Sequence, residues 1–234
     1  MKKIAKNISI SLVIPTYNDE LTVIDQVSFA EKILKKYYND YEIIIADDGS
    51  IDKTRALLQK HYKKRQEFRL IFNKKNVGIF SNVHQLYTLA TKEFLFFYSA
   101  DGDWDPRDIE HLIQTQLKEK ADIVIGKRIK KIGYTPYRKL VSFFHRVIPI
   151  ILFGVDTYDP GGIKLIKTKL AHIPLVSQSQ FFEAEIIIRA KLKGYKISWY
   201  PIIYKKRYYG KGLGGKMSSA WYALRDLIKL RFSL

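Results

Sequence analysis

The stretch ISISLVIPTYNDE, residues 8–20, passes from a run of β-branched and leucine residues into a polar turn. Similar short runs recur through the first half of the chain, and segments with helical periodicity separate them. These runs are Ile8–Ile14, Glu42–Ala46, Arg69–Phe72, Phe94–Tyr98 and Asp122–Ile125. The alternation predicts βαβ units, and therefore an α/β fold with a mostly parallel central sheet flanked by helices.

Composition bounds both the architecture and the class of partner. The chain has 234 residues, of which 47% are hydrophobic, so it can form one sizeable core. Its formal charge is +18, which favours an anionic partner: nucleic acid, a lipid surface or a phosphorylated substrate. Cysteine is absent, which excludes disulfides, thiolate zinc sites and cysteine nucleophiles.

Acidic residues collect directly after two of the predicted strands. Asp47 and Asp48 follow the second strand, where a helix cap would need only one carboxylate. Because parallel sheets bind ligands at the carboxyl ends of their strands, this pair suits hydrogen bonding to a base or ribose. Asp101, Asp103 and Asp105 follow the uniformly apolar fourth strand, and they repel one another unless a cation holds them. Such oxygen ligands suit Mg²⁺ or Mn²⁺ beside phosphates, whereas the simpler interpretation is an acidic turn that caps a helix.

Several motifs together carry a family resemblance. Three strand ends read PTYNDE at 15–20, DDGSID at 47–52 and DGD at 101–103. In this order and spacing they resemble the family-2 glycosyltransferases with the GT-A fold. Later stretches read ADIVIGKR at 121–128, FEAE at 182–185 and RYYGK at 207–211. These are similar to the polyprenyl-phosphate sugar transferase branch, which includes dolichol-phosphate mannose synthase.

The resemblance implies a hexosyltransferase that uses a nucleotide diphosphate sugar and Mg²⁺ or Mn²⁺, and it assigns site residues position by position. On the donor side the matching substrate-binding positions are Pro15, Tyr17, Asp19 and Asp48, and we expect the adjoining Thr16 and Asp47 to bind substrate as well. The metal ligands, which also count as catalytic, are Asp101 and Asp103. The basic residues expected to meet phosphates are Arg128 and Arg207 as catalytic groups, with Arg138 and Lys211 as substrate-binding groups.

Three positions depart from the family pattern. Asp19 stands where the family usually has Glu, and Gly212 where this branch often has Ser. If the sequence is aligned through Asp105, the first Asp of the metal motif falls on Ser99; aligned through the Asp-x-Asp itself, Asp101 and Asp103 are both ligands. The Ser99 departure leaves a catalytically inactive relative, retained as a binding partner, as an alternative.

The acceptor decides whether the site needs a general base. A phosphate monoester has a second pKa of about 6 and is already anionic at neutral pH, so basic residues need only position it. We therefore expect a polyprenyl phosphate (dolichol or undecaprenyl) as acceptor, with one inverting displacement. The alternative is a soluble glycan or sugar hydroxyl, which needs a base. Glu183 and Glu185 are the candidates for a base or orienting group, and their helical spacing equally fits an exposed face.

A lipid acceptor implies contact with a membrane. The first ten residues lack a signal-peptide core, and the longest apolar run, Val147–Val155, is too short to span a bilayer. We expect a cytoplasmic protein, peripheral at the cytoplasmic face of a membrane or held there by a membrane-anchoring partner. Leu140–Phe153 and Met217–Leu230 are the candidate contact segments, although core helices would show the same stripes. In the second segment, the residues expected on one face are Ala220, Trp221, Leu224, Leu227 and Ile228, with Arg225 and Lys229 nearby.

The domain organisation follows from these assignments. We expect a single glycosyltransferase domain, with a nucleotide-sugar donor half at 1–126, an acceptor half at 127–215 and an amphipathic C-terminal helix at 216–234. A nucleic-acid-binding module would also explain the charge of +18 and the 14% of aromatic residues. It leaves the carboxylate clusters unexplained, because they repel phosphates unless a metal intervenes, so we expect no nucleic-acid partner.

Overall fold

The computed structural model describes residues 8–102, 104–105, 107–131, 136–204 and 217–234. The strands are β1 (Ser9–Thr16), β2 (Asp40–Asp47), β3 (Phe68–Phe72), β4 (Phe94–Phe97), β5 (Ile123–Lys131), β6 (Lys164–Lys167) and β7 (Ile197–Tyr204). The helices are α1 (Val23–Tyr37), α2 (Thr54–Tyr62), α3 (Ile79–Leu89), α4 (Asp108–Glu119), α5 (Pro136–Phe153), α6 (Thr168–Ala171), α7 (Phe182–Leu192) and α8 (Met217–Ser233).

The described strands form one seven-stranded sheet in the order β3-β2-β1-β4-β6-β5-β7. Strand β6 runs antiparallel to both of its neighbours, and the other pairs are parallel. The predicted single α/β domain with a mostly parallel sheet is therefore confirmed. Each of the five predicted strand runs lies within or across one observed strand, β1 to β5.

Alternate residues of the strands build a separate core on each face of the sheet. On β1, Ile10, Leu12 and Ile14 pack with α1, α2 and α4, whereas Val13 points to the other face, against α3 and α7. This follows from the two-residue side-chain period of a strand. In the sequence of α1 apolar residues recur from Val23 to Tyr37 at steps of three or four, and every position of this stripe is buried. Each such buried aliphatic side chain contributes roughly 1.5–3 kcal/mol.

A third apolar cluster joins α5, α7 and α8 beside the sheet. It contains Phe181 and Ile188 of the α7 region together with Ala223, Leu227 and Leu230 of α8. Within the described part of the chain, no helix combines the length and the apolar character required to cross a bilayer.

Candidate active site

The loops that follow β1 and β2 lock together at the carboxyl edge of the sheet. The Asn18 backbone amide donates to Ser50 Oγ (2.9 Å), and the Ile51 amide donates to Asn18 Oδ1 (3.0 Å). Asn18 has a φ of 55°, a left-handed conformation that Asn tolerates better than most residues. The two predicted donor-side loops therefore form one rigid rim.

The predicted donor residues of the first loop lie on this rim. Pro15 and Thr16 are buried at the end of β1, whereas Tyr17 is 43% exposed. Asp19 Oδ2 accepts hydrogen bonds from Thr16 Oγ1 (2.9 Å) and from the Tyr17 amide (3.0 Å). Asn18 and Asp19 have side chains that commonly cap a following helix, but Asp19 turns back into its own loop and α1 begins at Val23 without a side-chain cap.

Asp47 and Asp48, predicted to meet the base or ribose, are both buried and bonded within the protein. Asp47 accepts from the Ser50 amide (3.2 Å) and from Arg55 Nε (3.0 Å). Asp48 accepts from the amides of Val77 (2.8 Å) and Gly78 (3.0 Å). Asp48 therefore fixes the loop between β3 and α3, and contact of either carboxylate with a nucleotide stays a prediction.

Asn73, which the sequence analysis missed, completes this clamp. Its Nδ2 donates to Asp48 Oδ1 (3.1 Å), and its carbonyl oxygen accepts from Arg55 (2.7 Å). Gly49 fits beneath the same loop, because a Cβ at this position would lie 2.7 Å from the carbonyl carbon of Lys75. The adjacent Asp-Gly pair was a signal for such a close backbone approach.

The acidic turn after β4 lies beside the first loop. Thr22 Oγ1 donates to the Ala100 carbonyl (2.7 Å) and joins the two segments. Burial raises the pKa of Tyr98, and the nearby carboxylates of Asp101 and Asp105 raise it further, which shows that negative charge gathers at this strand end. Asp105 forms an ion pair with Arg107 (2.6 Å).

The predicted metal ligands are Asp101, which is partly exposed at this turn, and Asp103, which lies outside the described residues. Among the residues that the structure covers, there is no group of three or more side chains of the usual ligating types. The oxygen donor of Asp101, in a turn that also carries Asp105, nevertheless fits a hard divalent cation, which takes few protein ligands and keeps positions for phosphate oxygens.

Arg128 connects the acidic turn to the second half of the chain. Its Nε donates to Asp159 Oδ2 (2.5 Å), a terminal nitrogen donates to the other carboxylate oxygen, and its guanidinium lies 5.6 Å from the Trp104 ring centroid. Both members of the pair are largely buried. Arg128 was predicted to meet phosphate, and the structure places it next to the acidic turn with Asp159 as its partner.

A second, more deeply buried ion pair lies on the adjacent strand. Lys164 of β6 is fully buried, and its Nζ lies 2.6 Å from Glu183 Oε1. Tyr87 Oη donates to the same oxygen (3.1 Å). Burial lowers the pKa of Lys164 although Glu183 and Asp159 oppose that shift. The carboxylate of Glu183 is thus oriented through one oxygen, with 11% of its side chain exposed.

Glu185, the other candidate base or orienting group, is bonded within the core of the protein, and its role stays a prediction. It is fully buried and accepts from the amides of Val176 (3.0 Å) and Ser177 (2.9 Å) and from Arg189 Nε (2.7 Å). The alternative of an exposed helical face is wrong for both glutamates, because α7 turns these positions into the protein. The structure therefore separates Glu183, at the edge of the core, from Glu185, within it.

The remaining predicted basic residues fall outside what the structure describes. Arg207 and Lys211 lie in the segment 205–216, and Arg138 belongs to α5 but its side chain is not described. Asp159 and Lys164 were missed. Turn residues at 159–162 and a lysine among apolar residues were the available signals.

The fold and the carboxyl-edge site define a GT-A glycosyltransferase. The family model described as glycosyl transferase family 2 matches residues 11–174, most of the chain, and the protein belongs to that family.

Two curated relatives are named after polyprenyl phosphates. Dolichyl-phosphate beta-glucosyltransferase of Saccharomyces cerevisiae is 29% identical over 228 residues, covering 84% of this chain and 67% of the relative. Dodecaprenyl-phosphate galacturonate synthase of Rhizobium johnstonii is 24% identical over 167 residues, covering 70% of this chain and 49% of the relative. The chain thus spans about half to two thirds of the length of these relatives. They confirm the predicted resemblance to the polyprenyl-phosphate branch.

Solved structures share the fold. Glucosyl-3-phosphoglycerate synthase from Mycobacterium tuberculosis, crystallised with Mn²⁺, UDP and glucosyl-3-phosphoglycerate, superposes with a TM-score of 0.72 at 15% identity, covering 97% of this chain and 81% of that chain. The same enzyme with Mg²⁺ and UDP gives a TM-score of 0.70 at 16% identity, covering 97% of this chain and 80% of that chain. At this level of identity the likeness establishes the fold.

Proposed function

We propose that this glycosyltransferase transfers a hexose from a nucleotide diphosphate sugar to a polyprenyl phosphate, with inversion at the anomeric carbon. The observation that carries the proposal is the placement of the Asp101 turn and Arg128 side by side at the carboxyl edge of the sheet. The Asp101 turn supplies negative charge for a cation, and Arg128 supplies positive charge for a phosphate. The names of the curated relatives support the lipid phosphate as acceptor.

On the donor side, Asp101 and Asp103 would hold Mg²⁺ or Mn²⁺, and the structural relatives crystallised with these ions and UDP support this. Such an ion, when bound, would stabilise the charge of the departing diphosphate. The interlocked rim formed by Asn18 and Ser50 holds Tyr17 at the surface, where its ring can contact a nucleotide. The chain itself therefore contributes a preformed donor site.

On the acceptor side, a lipid phosphate attacks as an anion and requires no base, so positioning by Arg128 and its neighbours is sufficient. The site is proposed to act at the cytoplasmic face of a membrane, because the acceptor resides there.

A soluble hydroxyl acceptor is the second candidate, favoured by one observation: Glu183 is held through Oε1 by Lys164 and Tyr87, as a positioned base would be. The structural relative that forms glucosyl-3-phosphoglycerate is consistent with this candidate. A Glu183→Gln variant separates the two. The hydroxyl mechanism predicts a loss of about 10²–10⁴-fold in rate, whereas the lipid-phosphate mechanism predicts a rate close to that of the parent.

The central experiment incubates the protein with Mn²⁺ or Mg²⁺, a short polyprenyl phosphate in detergent and a panel of nucleotide sugars. Release of nucleoside diphosphate and formation of glycolipid are measured together. The Asp101→Asn variant should lose at least about a hundredfold in rate because an electrostatic contact to the leaving group is removed. Asp25→Asn, on the exposed surface of α1, is the matched control and should retain full activity.

Each outcome decides between the candidates. Release that depends on the lipid phosphate supports the proposal and identifies the donor. Release without lipid dependence supports the soluble acceptor instead. An unchanged rate in Asp101→Asn would show that Asp101 makes no contact needed by the leaving group, and no binding of any nucleotide sugar would show that the chain is an inactive relative.

A further inference from the structure

Helix α8 has two apolar faces, and the described residues cover only one of them. Ala223, Leu227 and Leu230 pack into the cluster shared with α5 and α7. The opposite side carries four large apolar residues at steps of three or four, which we call the outer face of α8: Trp221 (68% exposed), Leu224 (38%), Ile228 (48%) and Phe232 (87%). The sequence-based grouping placed Leu227 with Trp221 on one face, which is wrong because Leu227 belongs to the core side.

Positive charge flanks the outer face, and of its cations Arg225 is paired with a buried aspartate. By helical geometry Arg225 and Lys229 lie on one side of this stripe and Arg231 on the other. The acidic residue of α8, Asp226, is fully buried, where it accepts from the Gln178 amide (2.9 Å) and from Arg225 (3.0 Å). An exposed apolar stripe between cations is the pattern of a helix that lies in a membrane interface.

Helix α5 packs against α8 and repeats the pattern. Ile148 and Phe153 turn towards the shared cluster, while Phe143 (58% exposed) and Ile151 (74%) point to solvent. The sequence of α5 contains no Asp or Glu. Two neighbouring helices thus expose apolar side chains in a setting of positive charge.

We propose that the outer face of α8, together with the exposed side of α5, docks this enzyme on the headgroup region of an anionic lipid bilayer. The charge selects this occupant. Two copies of a chain with a formal charge of +18 would bring their cations together, which disfavours a dimer through this face. Anionic lipid supplies both the apolar layer for the stripe and the counter-charge for Lys229 and Arg231.

The purpose of this docking rests on the proposed function. Helix α5 is tied to the site, because Arg146 forms an ion pair with Asp156 (2.5 Å), three residues before the Asp159 that holds Arg128. Docking through α5 and α8 would therefore place the Arg128 side of the site near the lipid surface, where a membrane-borne phosphate is found.

Co-sedimentation with vesicles tests the proposal without any substrate. The full chain should bind phosphatidylglycerol–phosphatidylcholine vesicles and bind pure phosphatidylcholine vesicles far more weakly. A Trp221→Ser/Phe232→Ser variant should lose at least about tenfold in partitioning because exposed apolar area is removed. A Lys229→Gln/Arg231→Gln variant should lose about fivefold for each cation, on the anionic vesicles only. Ile51→Ser is the matched control, because it also removes an exposed apolar side chain (88% exposed) but lies outside α5 and α8. This variant should bind the vesicles as the parent does.

Fluorescence quenching by brominated lipids locates the contact. The parent chain should be quenched, and a Trp221→Phe variant should lose that quenching although Trp104 and Trp199 remain. Failure of the parent to bind either vesicle, or equal binding by the Trp221→Ser/Phe232→Ser variant, would overturn the proposal. The proposal would also be overturned if the parent formed a dimer in lipid-free buffer and the Trp221→Ser/Phe232→Ser variant did not. Activity on a short, water-soluble prenyl phosphate without vesicles reports on the proposed function separately, since it does not depend on docking.

Discussion

The buried ion pair between Lys164 and Glu183 allows a prediction with a definite magnitude. Lys164 has no exposed side-chain surface, and its Nζ is 2.6 Å from Glu183 Oε1 and 4.5 Å from the Phe97 ring centroid. Lys164→Met preserves the length and apolar stem of the side chain but removes the ammonium. Glu183 is then left in the edge of the core with Tyr87 as its remaining partner.

Breaking a buried pair on one side costs about 3–5 kcal/mol. We expect the lower end of this range, about 3 kcal/mol, because 11% of the Glu183 side chain still contacts solvent. Replacing both partners, in Lys164→Met/Glu183→Met, removes the uncompensated charge as well. Its stability should return to within about 1 kcal/mol of the parent, the residual loss being the unpaired Tyr87 hydroxyl.

Urea unfolding at pH 7, followed by circular dichroism, measures both variants. With a slope of about 2–3 kcal/mol per molar urea, the single variant should unfold about 1–1.5 M earlier than the parent, and the double variant close to it. The reasoning is refuted if the single variant unfolds within about 0.3 M of the parent, or if the double variant is as unstable as the single one.

Three further predictions follow from the fold. Gly162→Ala should lose about 2 kcal/mol or more in urea unfolding, because its Cβ would lie 2.5 Å from a β5 carbonyl oxygen, whereas Gly161→Ala, 3.7 Å from its nearest neighbour, should lose far less. Asp48→Ala should speed amide hydrogen exchange in the loop 73–78 by at least about tenfold at Val77, because its amide loses its acceptor whereas the Gly78 amide keeps Asn76 Oδ1; unchanged exchange at Val77 would contradict the clamp. Burial raises the pKa of Glu31, but hydrogen bonds from an arginine and a lysine outweigh this and lower it overall, so its contribution is present above the unfolded pKa of about 4.3 and is lost as pH falls through the folded pKa. Glu31→Gln should therefore be less stable than the parent at pH 7, the difference should shrink as the pH falls below about 4.3, and a difference that stays constant in acid would contradict this assignment.

The strands and the first helix were predictable because their signals are local. The run Glu42–Ala46 is short and has three isoleucines at its centre, and the stripe from Val23 to Tyr37 repeats at helical spacing, so each pattern favours one type of element. The same reasoning located the carboxylates at the sheet edge, since the carboxyl ends of parallel strands share one side.

The partners of those carboxylates were not predictable, because each depends on a distant segment. Asp48 accepts hydrogen bonds from a loop that begins 25 residues later in the sequence. Glu183 pairs with a lysine on the antiparallel strand β6, and no periodic pattern in the sequence indicates that lysine. Asp19 had the sequence of a helix cap, but a hydroxyl and an amide within its own loop offered better partners than the helix end. Local propensity cannot rank such choices.

Burial and hydrogen bonding now separate acidic residues that look alike in sequence. Asp47 and Asp48 are buried and bonded to the protein, so a ligand that used them would first have to displace those bonds. Asp101 is partly exposed at a turn where other carboxylates gather, so a cation there lowers repulsion that the fold already contains. Asp101 is therefore better placed to bind a ligand than either residue of the Asp-Asp pair.

Several basic residues are paired with buried acids. Near the site Arg128 is paired with Asp159, Lys164 with Glu183 and Arg189 with Glu185, and in each pair the acid is largely buried. Each of these pairs adds nothing to the net charge, so the formal charge of +18 comes from other residues. On α8 that charge borders an uncovered apolar stripe, which nucleic acid would leave exposed and a bilayer would cover. A partner that satisfies both the charge and the apolar surface is thus a lipid, and this is also the environment of the proposed acceptor.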